Sequence, residues 1–493
     1  MEKPPPPLYN EALSYKKFMC RLFVLLLALS LGACIHTPPD STSNTPPPTF
    51  TLAPKPALSQ LPPVADINLD QEYSLEALIH LAQTRNATTR IAWLEAEQAA
   101  MASGMVQSTY LPIITASALG GYQRSKRHTR YDLDQLITVD SSNHTTARGV
   151  VPALTLNWLL FDFGRREAAH GAAQDLAFAS KAKFTAAHQA IIFNVSRTFY
   201  TYNAAKKNTA LAQQHVKNSQ ELLKAAQARY HEGIGTSIEV AQAKQLVAQA
   251  RFLWVQNQGA ERDAYQSVLG AVGLSPTTKI HIASDHERQF PRFDDLPDDE
   301  RLQEALAYRP DLIAVEAAAR AATKGIDAAE AAFRPVVGLI GVAATGSANF
   351  NLDGVVSANP NARGTALLLG ISLPLYDGGL RRMRVQEARS RAEAAKELQR
   401  KTQSDALQEM HIAANALRSA LEAYEASVAL VEAAQITHDA AVESYKVGLS
   451  SMILATESAN GLLDATQAQA VAYSATLIAA ANLAFMMGQQ PSP

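Results

Sequence analysis

Asp162-Phe163-Gly164-Arg165 opens a long proline-free run that ends at Tyr230-His231-Glu232-Gly233, and both pieces return later as Asp377-Gly378-Gly379 and Tyr445-Lys446-Val447-Gly448. Asp162, Gly164, Tyr230 and Gly233 each lie 215 positions from their copies, and Gly273 and Gly488 continue the series. A constant spacing across these landmarks leaves no net insertion or deletion between them, the mark of a tandem duplication of one structural unit.

The unit is read from what it lacks. No proline occurs between Pro152 and Pro276 or between Pro374 and Pro491, so very long helices are allowed there. Arg165 to Tyr230 and Arg381 to Tyr445 are rich in Ala, Gln, Glu, Lys and Leu. These are strong helix formers, and each segment runs roughly 100 Å at the helical rise. Helices of that length need partners along them, which points to closely packed coiled coil within the chain. In the first repeat the two glycines of Gly233-Ile234-Gly235 permit a reversal, and Thr236 or Ser237 caps a return helix reaching about Ala271. Ala87 to Thr109 supplies the remaining length, so two short helices stacked end to end match one long one. Asp311 to Ala332 and Ser451 to Met487 repeat the pattern against Arg381 to Tyr445. The result is four rods per chain.

Alternating stretches join the rods. Leu367, Leu369, Ile371, Leu373 and Leu375 define one face, with Ala366, Gly370 and Ser372 on the other. Leu154, Leu156 and Trp158 echo this, interleaved with Ala153, Thr155 and Asn157. The preceding arms, Pro112 to Tyr122 and Pro335 to Thr345, are small and β-branched. Strands of about 10 residues with one apolar face suit a transmembrane barrel. Four strands in two hairpins are expected, with polar loops over Gln123 to Ala147 and Gly346 to Ala362 facing water. Four strands fall short of the roughly eight a barrel needs, and open edges are not tolerated in lipid, so copies of the chain must associate to complete the membrane domain.

The N-terminus independently places the chain at a membrane. Leu22 to Ala33 is an apolar run behind Lys16, Lys17 and Arg21, too short to span a bilayer, and reads as a signal-peptide core. It ends Leu31-Gly32-Ala33-Cys34, which resembles a lipoprotein lipobox and implies an acylated Cys34; Ile35 in place of Asp implies onward transport to the outer membrane. Four consecutive prolines precede this signal, leaving Met1 and Met19 as alternative starts. The other cysteine, Cys20, lies inside the signal, so no disulfide is expected after processing. From Cys34 to about residue 70 the chain is rich in Pro, Thr and Ser, an extended tether.

With 46 acidic and 44 basic residues and no basic block, nucleic acid is not an expected partner. Ser180-Lys181-Ala182-Lys183 imitates a serine-lysine motif but sits mid-helix without companion motifs. The 12 histidines show no metal-ligand spacing and there is no Walker phosphate loop. No enzyme activity, cofactor or metal is expected.

Together Trp158-Leu159-Leu160-Phe161-Asp162-Phe163-Gly164-Arg165, Leu373-Pro374-Leu375-Tyr376-Asp377-Gly378-Gly379, Arg309-Pro310-Asp311-Leu312 and the two Tyr-x-x-Gly tips resemble the TolC-like outer-membrane efflux proteins, especially their lipoprotein branch. The resemblance spans about Leu75 to Gly488. It implies a mainly α protein carrying a membrane β-barrel: a homotrimer with four strands per chain in one twelve-stranded barrel and helical hairpins forming a periplasmic tunnel. It further implies a Gram-negative outer-membrane location and a passive exit duct, coupled to a periplasmic adaptor and an inner-membrane pump.

The expected division is residues 1–33 signal, 34–70 tether, 71–276 first repeat, 277–300 linker forming a small collar with the chain ends, 301–488 second repeat and 489–493 tail. In the TolC pattern a pair of aspartates after the second tip glycine lines the aperture; Leu454 and Glu457 stand there, and the alternative is two ordinary helix positions. Glu239 matches the acidic tip position of the first repeat. Its usual arginine partner is Ser450, which removes the expected salt bridge. Tyr230, Gly233, Tyr445 and Gly448 are expected at the adaptor-docking tips, against plain helix termination by glycine. Two other functions fit the same residues: a lipid-anchored coiled-coil scaffold without a channel, and a duct for secreted polypeptides.

Overall fold

The computed structural model describes residues 71–133, 137–284, 288, 290–293, 296–352, 356–358 and 361–488. The expected signal, Cys34, the tether and the tail lie outside them. Helices α1 (Leu75–Arg85), α2 (Ala87–Ser108), α3 (Arg165–His231), α4 (Ser237–Val272), α5 (Asp299–Ala305), α6 (Pro310–Ala331), α7 (Leu380–Lys446) and α8 (Met452–Met486) carry most of this part of the chain.

The duplication is exact in the rods. Both α3 and α7 have 67 residues, each starts directly after a left-handed glycine, Gly164 at φ 99° and Gly379 at φ 92°, and each ends two residues before a tip glycine. Helix α3 is lined by α2 and α4, and α7 by α6 and α8, so each long helix has two short ones along it. In addition α3 packs on α6 and α8 of the second repeat, which binds the two repeats side by side. Helix α8 is long and apolar enough to cross a bilayer by length and composition, yet it runs as the return arm of this packing.

Four long strands separate the short upper helices from the long ones: β2 (Ile113–Leu133), β3 (Ile137–Phe161), β5 (Val336–Leu352) and β7 (Asn361–Ser372). They pair antiparallel in the order β2-β3-β5-β7, with Ile113 opposite Asn157, Trp158 opposite Leu339 and Gly338 opposite Gly370. A short strand β6 (Val356–Ala358) pairs the end of β5. Among the described residues β2 and β7 each keep one edge unpaired.

Two expectations are corrected here. The polar stretches read as loops are largely strand: β2 and β3 pair continuously from Ile113↔Asn157 to Leu133↔Ile137, which extends the first hairpin through most of 123–147. Ladder hydrogen bonds belong to the backbone and do not require an apolar face, so a polar ribbon leaves no alternation to read. Likewise β7 stops at Ser372, excluding Leu373 and Leu375, because Pro374 has no N–H to donate to a ladder.

The core is divided along the rods. One cluster joins Tyr73, Leu78, Val195, Phe199, Val268 and Val272, and includes Ile280 and Ile282 from the segment between the repeats. There β4 (His281–Ile282) pairs in parallel with β1 (Glu72–Tyr73). A second cluster gathers Leu302, Met410, Leu417 and Leu483. A third closes the tips around Leu222, Leu246, Tyr445 and Met452.

Candidate functional site

Where strand becomes helix, each repeat uses one aspartate and one arginine a turn later. Asp162 Oδ2 accepts from the backbone N–H of Arg166 at 2.9 Å and from its Nε at 3.1 Å. Asp377 Oδ2 does the same for Arg381, at 3.1 and 2.7 Å. The guanidinium of Arg166 also donates to the carbonyls of Thr109, Leu159 and Leu160 and lies over the Tyr110 ring. That of Arg381 donates to Pro374 and lies over Phe333. Bonding and charge from Arg381 hold the Asp377 carboxyl below its ordinary value. These arginines stand 215 positions apart, so they belong to the duplication, although the two aspartates were the members singled out from sequence. Trp158 Nε1 donates to Tyr110 O at 2.9 Å, fastening β3 to the end of α2.

At the opposite end the rods reverse. Gly233 and Gly448 adopt φ 77° and 87°, which favours glycine and ends each long helix. Gly235 has no room for a side chain: a Cβ there would lie 2.9 Å from the backbone N of Tyr230. Thr236, rather than Ser237, caps α4 by accepting from Glu239 N, and Ser451 caps α8 by accepting from Leu454 N. Ser450 donates to Ala441 O and so ties the turn back to α7.

The two tyrosines that sequence makes equivalent are not equivalent in space. Tyr230 is half exposed, whereas Tyr445 is fully buried. The Tyr445 hydroxyl donates to Glu239 Oε2 at 3.2 Å, which ties the tip of the second repeat to that of the first. Burial, and then the Glu239 charge, push this hydroxyl above its ordinary value. Arg229, on the last turn of α3, donates to the Tyr445 carbonyl at 3.2 Å and to that of Ile234. Its guanidinium carbon lies 5.1 Å from the centre of the Tyr445 ring.

Arg229 thus brings a cation to the tip through a carbonyl and a ring rather than through a carboxylate, and the sequence did not mark it. An arginine in the last turn of a helix is commonplace, since it faces the negative end of the helix dipole. Only the cross-repeat partner distinguishes this one. Its Nε is buried without a hydrogen-bond partner, so the contact is held below full strength.

Leu454 and Glu457 are both exposed on the first turns of α8, three residues apart and so on one face. Ile234, Ile238, Val447, Leu449 and Ile453 are exposed around them, giving the tips an apolar surface. Among the described residues no group of three His, Cys, Asp or Glu side chains is placed to hold a metal ion.

Paired strand hairpins carried on two long helical hairpins define an outer-membrane channel protein, and the comparisons agree. The family model for outer membrane efflux proteins matches residues 78–274 and 301–489, and the chain belongs to that family. It is similar to protein CyaE of Bordetella pertussis, 28% identical over 364 residues that cover 74% of this chain and 72% of the relative. Outer membrane protein OprJ of Pseudomonas aeruginosa is 26% identical, with 75% of each chain covered. The crystal structure of outer membrane protein VceC from Vibrio cholerae shares the fold, with a TM-score of 0.69 over 84% of this chain and 96% of that one at 21% identity.

Proposed function

We propose that the chain is the passive exit duct of a tripartite export system, assembled as a trimer. Three copies of the β2-β3-β5-β7 sheet close a twelve-stranded barrel, and the rods line a periplasmic tunnel. Cys34, acylated, anchors each copy to the outer membrane through the Pro-rich tether. A periplasmic adaptor docks on the tips around Tyr230, Gly233 and Gly448, and an inner-membrane pump supplies the energy.

The observation that carries this reading is the sheet itself: four antiparallel strands, with one edge of β2 and one of β7 unpaired among the described residues, set on two 67-residue helices. Such a sheet is stable in lipid only when its edges are closed by other copies. At the tips, Leu454 forms an apolar constriction and Glu457 an acidic ring, while the Arg229, Tyr445 and Glu239 contacts hold the two hairpins of each copy together.

The test is conductance in planar bilayers of the detergent-purified, lipidated protein. Discrete channels are expected, small in the wild type and larger in Leu454→Ala and Glu457→Ala. A well-folded sample that forms no channels would favour the tethered scaffold instead.

A further inference from the structure

Beyond the Arg229, Tyr445 and Glu239 contacts that lock the tips, a second pair of side chains, one on α3 and one on α7, borders a common cavity. His215 precedes Arg229 by four helical turns, and His438 precedes Tyr445 by two. Both line a cavity of about 470 Å³ between α3, α7 and α8. His215 is 5% exposed and His438 9%, yet His215 Nε2 and His438 Nδ1 have no hydrogen-bond partner. Two nearly buried imidazoles with idle ring nitrogens beside one cavity are a costly arrangement for a purely structural contact.

The surrounding charges are mixed. Glu221 of α3 and Asp439, Glu443 and Lys446 of α7 line the same cavity. Asp464 of α8 acts on His215 through its charge. Burial and then the neighbouring His438 lower the affinity of His215 for a proton, against the pull of Asp464 and Asn460. Burial lowers that of His438, against Asp439. Both directions are the same: the packed arrangement keeps the pair neutral.

We propose that His215 and His438 form a proton-operated release for the hairpin tips, neutral while both are buried between α3, α7 and α8 and protonated when these helices part. The proposal rests on the duct reading above. Its sign follows from linkage. When the helices separate, water reaches the imidazoles and their affinity returns toward the ordinary histidine value of about 6.5. As pH falls through that value the open state takes up protons that the packed state refuses, so acid favours opening. Each unit of difference between the two states changes the open-to-closed ratio by up to about tenfold. Because the pair lies along the helices that end at Arg229 and Tyr445, parting here loosens the lock below.

The experiment is single-channel recording of the lipidated protein with the periplasmic side titrated from roughly pH 7.5 to roughly pH 5.5, a window in which exposed carboxylates stay ionised. Wild type is expected to gain at least about fivefold in its open-to-closed ratio. The double variant His215→Gln, His438→Gln should keep its channels and lose that gain, with each single variant losing part of it. Channels without a pH response in the wild type, or an undiminished response in the double variant, would overturn the proposal. Absence of channels at every pH would sink the duct reading. If the channels form but the variants fail to fold, histidine C2–H exchange read by mass spectrometry on the wild-type protein decides: proton affinities near the ordinary value at both positions would overturn the proposal, and depressed values beside an acid-driven gain in opening would uphold it.

Discussion

Replacing Tyr445 by Phe removes one oxygen from a fully buried side chain and leaves the ring, its packing against Leu246 and Met452 and its contact with Arg229 in place. What disappears is the hydroxyl donation to Glu239 at 3.2 Å. A hydrogen bond to a charged group contributes about 1.5–3 kcal/mol. Glu239 is only partly buried, however, so its carboxylate regains some water when the bond is lost, and about 1 kcal/mol is the expected cost. That amounts to roughly fivefold in the ratio of parted to locked tips. The assay is single-channel open probability, measured for Tyr445→Phe, Glu239→Ala and the double variant. Each single change should raise it several-fold, and the double should add little to the larger single effect, giving a coupling of about 1 kcal/mol. Fully additive effects, or an unchanged open probability in Tyr445→Phe, would refute the lock.

Further outcomes are expected. Arg229→Ala gives up the Tyr445 carbonyl and the ring contact together, and should destabilise the locked tip by about 1–2 kcal/mol, read in the same recordings. A bulky residue at Gly448 meets both a left-handed backbone and Arg229 Nη1 at 3.1 Å from its Cβ. It should abolish export while trimer formation and membrane insertion persist, checked by an export assay and by crosslinking. Arg166→Met leaves Asp162 buried without its cation and should cost about 3–5 kcal/mol in thermal or denaturant unfolding. Asp377 titrates below its ordinary value, so its contribution is present above about pH 4 and is lost only as pH falls through the lowered folded value. Protection of the Gly379 and Arg381 amides from exchange, taken against the intrinsic rate at each pH, should therefore persist at mildly acid pH and fall only under strong acid.

The long rods were legible because nothing interrupts them: a left-handed glycine opens each, and no proline intervenes for 67 residues. Duplication made the second rod a check on the first. The strands were legible only where one face was apolar, so the polar ends of β2 and β3 passed for loop, and Leu373 and Leu375 were counted into a ladder that Pro374 cannot extend. The tip was half legible. Its glycines and capping residues announce themselves locally, as does Glu239 by position. Arg229 and the unequal burial of Tyr230 and Tyr445 depend on contacts between repeats more than 200 residues apart, and a single sequence carries no mark of which residues meet across such a distance. The linker was expected to meet the chain ends, but the parallel register of β4 with β1 depends on segments remote in the chain.

The open edges of β2 and β7 have a genetic consequence. Each copy in the proposed ring completes its neighbour's sheet on one side and is completed on the other, so a copy that cannot pair spoils the whole ring it joins. A proline placed in β7 would then act dominantly: expressed equally with wild type, it would leave only about one ring in eight free of the defect, if copies assort at random in a closed three-fold assembly. A cell carrying both alleles would lose most of its export capacity while still making half its chains correctly.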